Sequence, residues 1–261
     1  MVQVRTQQPV SEDGSIDLHG WVAQIIAVDP LLEADGLFKA CEFARDAERK
    51  AQAAHNIWAE GNSSLQTGLE IAQILVDLKL DQDTLVAAIF YRTAREGKAP
   101  RSDIERDFGP AVSKLIDGVL RMAAISASMN PRQSVVLNSQ AQVDNLRRML
   151  VAMVDDVRVA LIKLAERTCA IRAVKNAPEH KRYRVAREVF DIYAPLAHRL
   201  GIGHIKWELE DLSFRYLEPD QYMHIADLLH ERRIDREQFV RNVVQQLRDE
   251  LQDAQIDADV S

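Results

Sequence analysis

Apolar residues recur along this chain at three- and four-residue spacing, broken by short polar or Gly/Pro-containing stretches, and that period predicts helices. After a loose polar stretch at 1–16, Leu18, Trp21, Val22, Ile25 and Ile26 form a first short helical stripe. A second pattern runs from about Leu31 to Ala54, and Gly61, Asn62, Ser63 and Ser64 mark a loop over 55–64. Ser63 or Ser64 can cap the next helix, which reaches about Leu78, and Asp81 with Asp83 supply start signals for another through about Glu96. Pro100, Gly109 with Pro110, and Pro131 then leave helical patterns at about 101–107, 111–127, 134–153 and 157–175. Beyond a break at 176–179, an amphipathic pattern covers 181–200, where Pro195 should bend or split the helix and Gly201 and Gly203 should end it. From Pro219 the chain reads as one very charged helix containing HERRIDRE, and 253–261 carry no clear apolar stripe.

Composition supports an all-α fold. Of 261 residues 47% are hydrophobic but only 6% aromatic, with 10 Gly and 8 Pro, a mixture that favours helices and suffices for a substantial core. A net charge of −7 argues against a duplex-coating domain and leaves room only for local basic stripes that touch RNA. Two cysteines, Cys41 and Cys169, cannot make a disulfide framework, and Met1–Ser11 has no apolar run of signal-peptide type, so a cytoplasmic setting is expected. No run approaches the ~18 apolar residues of a membrane span.

Motif chemistry is sparse. There is no Gly-rich phosphate loop, paired CxxC spacing, internal repeat or low-complexity tract. His198, His204, His224 and His230 lack carboxylate partners at metal-ligand spacing, and Asp155 and Asp156 suit a helix start better than a metal site.

Three segments narrow the reading: NLRRMLVAMVDDVRVALIKLAERTCAIR at 145–172, DIYAPLAHRLGIG at 191–203 and IKWELEDLSFRY at 205–216, to which GPAVSKLIDGVLRM at 109–122 adds. In this order they resemble the N-terminal half of the long RelA/SpoT (p)ppGpp synthetase/hydrolase family, over roughly residues 20–250. The resemblance implies an HD-type helical domain at 17–203, followed by a helical connector at 204–261 that leads toward a synthetase domain. In bifunctional members this domain hydrolyses (p)ppGpp with a manganese ion.

Carried over position by position, the resemblance implies a degenerate site. The first metal-ligand position holds Thr67, the His-Asp pair is replaced by Tyr91 and Arg92, and the last ligand is Glu166 in KLAER, where relatives carry aspartate. The acidic pair that manages water falls on Arg95 and Glu96, the basic substrate pair on Trp58 and Ala59, and the His-Asn after the last ligand on Cys169 and Ala170. A fixed guanidinium at Arg92 would repel a divalent cation by several kcal/mol at an effective dielectric of about 20. Tyr91 also reads as a core aromatic, Arg95 as a solvated helix position and Cys169 as a small buried apolar group.

These substitutions lead to the expectation of no catalytic residue, no manganese and no cofactor. The domain would instead regulate the synthetase domain of the same chain, with the ribosome as a partner of the full-length protein, as the resemblance implies for monofunctional members. Two other readings are a module that binds guanine nucleotides or a protein in the remnant cleft, and an active metal-dependent hydrolase with unusual ligands. Arg92 and Glu166 inherit two ligand positions and are expected to form a direct or one-water salt bridge in place of the metal. The competing arrangement pairs Arg92 with Glu96 at i to i+4.

Overall fold

A computed structural model describes residues 8–10, 15–54, 63–128 and 156–253. Among these the regular structure is helical, apart from an isolated antiparallel bridge between Val10 and Ile16. The helix expected at 134–153 lies outside the described residues, as do Trp58 and Ala59.

Local chemistry sets most helix starts. The Asp17 carboxylate accepts the Gly20 amide at 3.0 Å and begins α1, Leu18–Val28, which buries Leu18, Trp21, Val22 and Ile25. A turn at Asp29–Leu32 delays α2 to Ala34, so Leu31 is exposed rather than helical and α2 covers Ala34–Ala53. Ser63 caps α3, Ser64–Asp77, by accepting the Gln66 amide, and Asp81 caps α4, Gln82–Arg95, by accepting the Thr84 amide at 2.9 Å.

Helix α4 is the centre of the core. Residues from Thr84 to Tyr91 are all buried, which a helix tolerates only when neighbours cover every side. Those neighbours are α2, α3 and α5, the last spanning Arg101–Ser128. Gly68 brings α3 and α4 together: a β-carbon there would lie 2.4 Å from the Ile89 carbonyl oxygen. Each fully buried Leu or Ile in this core, such as Leu69, Leu75 and Ile89, contributes about 1.5–3 kcal/mol.

The expected break at Gly109 and Pro110 appears inside α5. Gly109 adopts φ 88° and ψ 167°, so α5 is two helical pieces joined at an abrupt corner. Asp156 caps α6, Val157–Ala173, which packs against α3 and α5, and a 3-10 turn at Val174–Asn176 ends it.

Pro195 splits the next helix in a particular way. After α7, Glu179–Glu188, the chain widens into a π turn over Val189–Tyr193, where the Ala194 amide reaches back to the Val189 carbonyl, and continues as α8, Ala194–Arg199. The wider turn absorbs the amide that proline lacks. Gly201, at φ 74°, closes this segment.

Helix α9, Gly203–Leu217, packs on α6, α7 and α8 through Ile205 and Leu209, and joins the long α10, Pro219–Asp253. No helix among the described residues is long and apolar enough to cross a membrane.

Candidate functional site

Of the positions singled out by the sequence, contacts among the described residues join Arg92 to Thr67 and Glu96, and Arg95 to Glu166. Helix α3 brings Thr67, α4 brings Tyr91, Arg92 and Arg95 and ends at Glu96, and α6 brings Glu166, Cys169 and Ala170. Cys169 is buried and Ala170 half-buried.

Glu166 is held by a set of cations. Arg167 grips it with two guanidinium nitrogens, at 2.5 Å to Oε1 and 2.7 Å to Oε2, and Lys163 donates to Oε2 at 2.8 Å. Arg95 approaches from α4, with Nη1 3.8 Å from Oε1. Burial alone would push the Glu166 carboxyl up, but Arg167 and Lys163 outweigh it and hold the group well below the usual carboxylate range. Arg167 also reaches Glu188 at 3.2 Å and lies over the Tyr193 ring, so the cluster extends to α7 and the π turn.

Lys163 is itself buried, and burial lowers its ammonium to about 8 despite Glu166. Its Nζ stands 3.5 Å from the Tyr91 hydroxyl. Burial, reinforced by Glu166, pushes that phenol up to about 12, so Tyr91 is neutral through the physiological range.

A second network lies beside the first. Arg92 donates to Glu96 Oε1 at 2.7 Å and to Thr67 Oγ1 at 3.2 Å, while Thr67 donates to the Ser63 carbonyl at 3.1 Å. Glu96 also accepts Ser64 Oγ at 2.6 Å and meets Lys98 at 2.8 Å. Burial opposes its ionisation, yet hydrogen bonds from Lys98, Ser64 and Arg92 keep its carboxyl below the ordinary value. Lys98 lies 3.5 Å from Glu48, which in turn accepts the Ser63 hydroxyl at 2.5 Å and the Ser64 amide at 2.8 Å.

The expected bridge between Arg92 and Glu166 is not found as a direct ion pair among the described residues. Arg92 folds back along its own helix to Glu96 and across to Thr67, while Glu166 has Lys163 and Arg167 as counter-charges from its own helix. A pair at i to i+4 needs little further ordering of two side chains already fixed on one helix. The cation that crosses from α4 to Glu166 is Arg95, which sequence reasoning had placed on a solvated face or in a lost water-handling position. The same reasoning missed the Glu48–Lys98 link, whose partners lie far apart in the chain. The Lys163–Glu166 contact was missed as well, although its i to i+3 spacing is a signal that could have found it.

This donor set does not fit a manganese ion. Such an ion needs lone pairs converging from imidazole and carboxylate groups. Here Thr67 Oγ1 already accepts from Arg92, Tyr91 keeps its proton, Arg92 offers only donors, and both Glu166 oxygens are occupied by cations. Among the described residues no three of His, Cys, Asp or Glu are grouped to hold a metal.

Comparison with known proteins places this arrangement in a family. Residues 40–203 match the family model described as HD domain. Across its whole length the chain is 42% identical to a GTP pyrophosphokinase of Escherichia coli strain K12, covering 34% of that protein, and 39% identical to one of Photobacterium angustum, covering 33%. It is also 37% identical, over 78% of its length, to a protein of Escherichia coli named bifunctional (p)ppGpp synthase/hydrolase SpoT, covering 28% of it. The chain thus spans about a third of the length of the curated relatives it matches. It belongs to the HD-domain family, in the form carried by the RelA/SpoT-type GTP pyrophosphokinases.

Proposed function

We propose that this chain is a catalytically silent HD domain that regulates a (p)ppGpp synthetase domain rather than hydrolysing the nucleotide. The observation that carries this reading is the occupation of the hydrolase positions by internal ion pairs. Glu166, the surviving ligand-type carboxylate, is committed to Arg167, Lys163 and Arg95. Arg92 ties α4 to Thr67 of α3, where an active relative would present two ligands to a shared ion. In place of a hydrolytic centre these cross-links make a preformed helical block.

Such a block regulates by docking. A synthetase domain that binds it in two arrangements differing by a few kcal/mol can be biased by whatever engages either arrangement, the ribosome being the expected source in a longer protein. Helix α10, which continues from α9 and leaves Met223, Leu228 and Leu229 exposed, is suited to transmit the movement.

Two measurements test the reading. Calorimetry with manganese and a pyrophosphate-release assay on (p)ppGpp should both be blank for the 261-residue chain. In a longer protein that includes a synthetase domain, removing residues 1–220 should change the synthesis rate. Manganese-dependent release of pyrophosphate would overturn the silent-domain reading, and an unchanged synthesis rate would overturn the regulatory one.

A further inference from the structure

At the end of α4 away from Arg95 and Glu96, a small cavity of about 160 Å³ opens where the N-terminal ends of α2 and α4 meet the corner of α5. The buried part of its lining is apolar, with Val86 of α4 and Val112 of α5. Half-buried Phe108 completes that part, its ring centroid 4.7 Å from that of Phe90 in the core. The exposed part carries opposite charges, Lys39 of α2 and Asp83 of α4.

These two charges line one small space without forming an ion pair with each other among the described residues. Lys39 Nζ donates to the Asp107 carbonyl at 3.1 Å and lies over the Phe108 ring, so an ammonium with three protons still has donors to offer. The Asp83 carboxylate has no hydrogen bond or ion pair among the described residues. Asp107, the other carboxylate at the cavity, is gripped by Arg106 at 2.9 and 3.0 Å. Gln82 holds the Glu33 amide through its carbonyl oxygen at 2.7 Å, which leaves the nitrogen of its side chain as a further donor on the wall.

We propose that this cavity binds a small zwitterion with an aliphatic body, a free α-amino acid of the size of valine. Its ammonium would meet Asp83, its carboxylate would meet Lys39 and the Gln82 amide, and its side chain would lie on Val86, Phe108 and Val112. An apolar cavity of about 150 Å³ takes up benzene, so the space suffices for such a molecule and is too small for a nucleotide. A side chain from a docking protein would fill the apolar part but bring no free ammonium and carboxylate with it. A phosphate would satisfy Lys39 and be repelled by Asp83, and a simple cation would meet the reverse conflict.

The proposal does not rest on the reading of the vacated site, and its failure would leave that reading untouched. The test follows backbone amide NMR shifts of the 261-residue chain during titration with L-valine, with isovalerate, which lacks the ammonium, and with isobutylamine, which lacks the carboxylate. Valine should produce saturating shifts around Asp83 and Phe108 with a dissociation constant of about 1 mM or tighter. Each analogue should bind at least about tenfold more weakly, because it forfeits one charged contact. Asp83→Asn should weaken valine by about tenfold and isovalerate not at all, and Lys39→Met should weaken valine similarly and isobutylamine not at all. Asp46→Asn, the same charge change at an exposed position of α2, should shift valine affinity less than about twofold. An added β-carbon at Gly36 would lie 2.2 Å from Gln82 Nε2, so Gly36→Ala should displace that amide from the wall and weaken valine while raising helix propensity, which keeps loss of fold out of the comparison. Shifts that fail to saturate below about 20 mM valine would overturn the proposal. So would equal affinity for valine and either analogue, or parental affinity in Asp83→Asn.

Discussion

Arg95 Nη1 lies 3.8 Å from Glu166 Oε1, so α4 and α6 meet through a cation that the protein itself supplies. Arg95 is half-exposed while Glu166 is buried, and this difference decides what the contact is worth. Water screens the Arg95 end and reduces its share to at most about 1 kcal/mol. The buried partners dominate, because removing the carboxylate would leave Lys163 without its carboxylate partner and facing Arg167, which would keep Glu188 alone. Glu166→Gln should therefore cost about 3–5 kcal/mol, and Arg95→Ala a small fraction of that. In denaturant titrations, a double-mutant cycle between positions 95 and 166 should show a small favourable coupling. The equivalent cycle between Arg92 and Glu166 should show none, and a coupling there above about 1 kcal/mol would contradict the observed pairing.

Acid should loosen the domain through the same carboxylates. The folded-state pKa values of Glu166 and Glu96 are both held below the ordinary value of 4.5. In each case the unfolded chain takes up protons first as pH falls. Their stabilisation is thus fully present above about pH 4.5 and is lost progressively as pH drops below it. Lys163 acts in the opposite limb: its folded ammonium is lowered to about 8 from 10.5, so the unfolded chain holds the proton longer and this group's penalty is relieved as pH rises between those values. Thermal melts across pH should show an acid limb that shrinks in Glu166→Gln, and an alkaline rise that disappears in Lys163→Met. Unchanged limbs in both variants would remove these groups from the account.

Much of this architecture was legible in short-range chemistry. Ser63, Asp81 and Asp156 are capping residues adjacent to apolar stripes, and Gly109 with Pro110 marks the corner in α5, because each signal acts within one helical turn. The all-α fold follows from the same period. The site was less legible. Candidate positions could be carried over from the resemblance, but which charges pair could not. Arg92 had two candidate carboxylates, and the nearer one on its own helix prevailed. Lys98 and Glu48 belong to different parts of the chain, and nothing in either neighbourhood marks them as partners until folding buries both beside Ser64.

Gly68 offers a sharp test of packing. Its missing side chain lets α3 lie against the α4 backbone, and the nearest atoms to an added β-carbon are the Ile89 carbonyl oxygen and α-carbon, at 2.4 and 2.9 Å. Backbone cannot swing aside as a flexible side chain does. Gly68→Ala should gain helix propensity worth about 1 kcal/mol yet lose more through forced separation of the helices, for a net loss of about 2 kcal/mol or more. A melting temperature equal to or above that of the parent chain would show that the two helices separate without cost.

Restoring only the His-Asp pair should fail to rebuild a metal site. Tyr91→His would supply an imidazole, but the buried ammonium of Lys163 sits 3.5 Å from the present hydroxyl and would disfavour a divalent cation beside it. Arg92→Asp would remove the guanidinium that now satisfies Glu96 and Thr67, placing a second carboxylate one turn from Glu96 on the same helix. Like charges at that spacing repel, and Lys98 would then neutralise Glu96 alone. Glu166 would remain committed to Arg167 and Lys163, with Arg95 still approaching it. The double variant is therefore expected to be less stable than the parent, to show no manganese-dependent rise in melting temperature and to release no pyrophosphate from (p)ppGpp. Adding Arg95→Glu and Thr67→His should produce the first measurable rise in melting temperature with manganese, because those changes remove the crossing cation and supply a second imidazole where α3 meets α4. If the double variant alone binds manganese stoichiometrically in calorimetry, the cations around Glu166 do not block the site as argued.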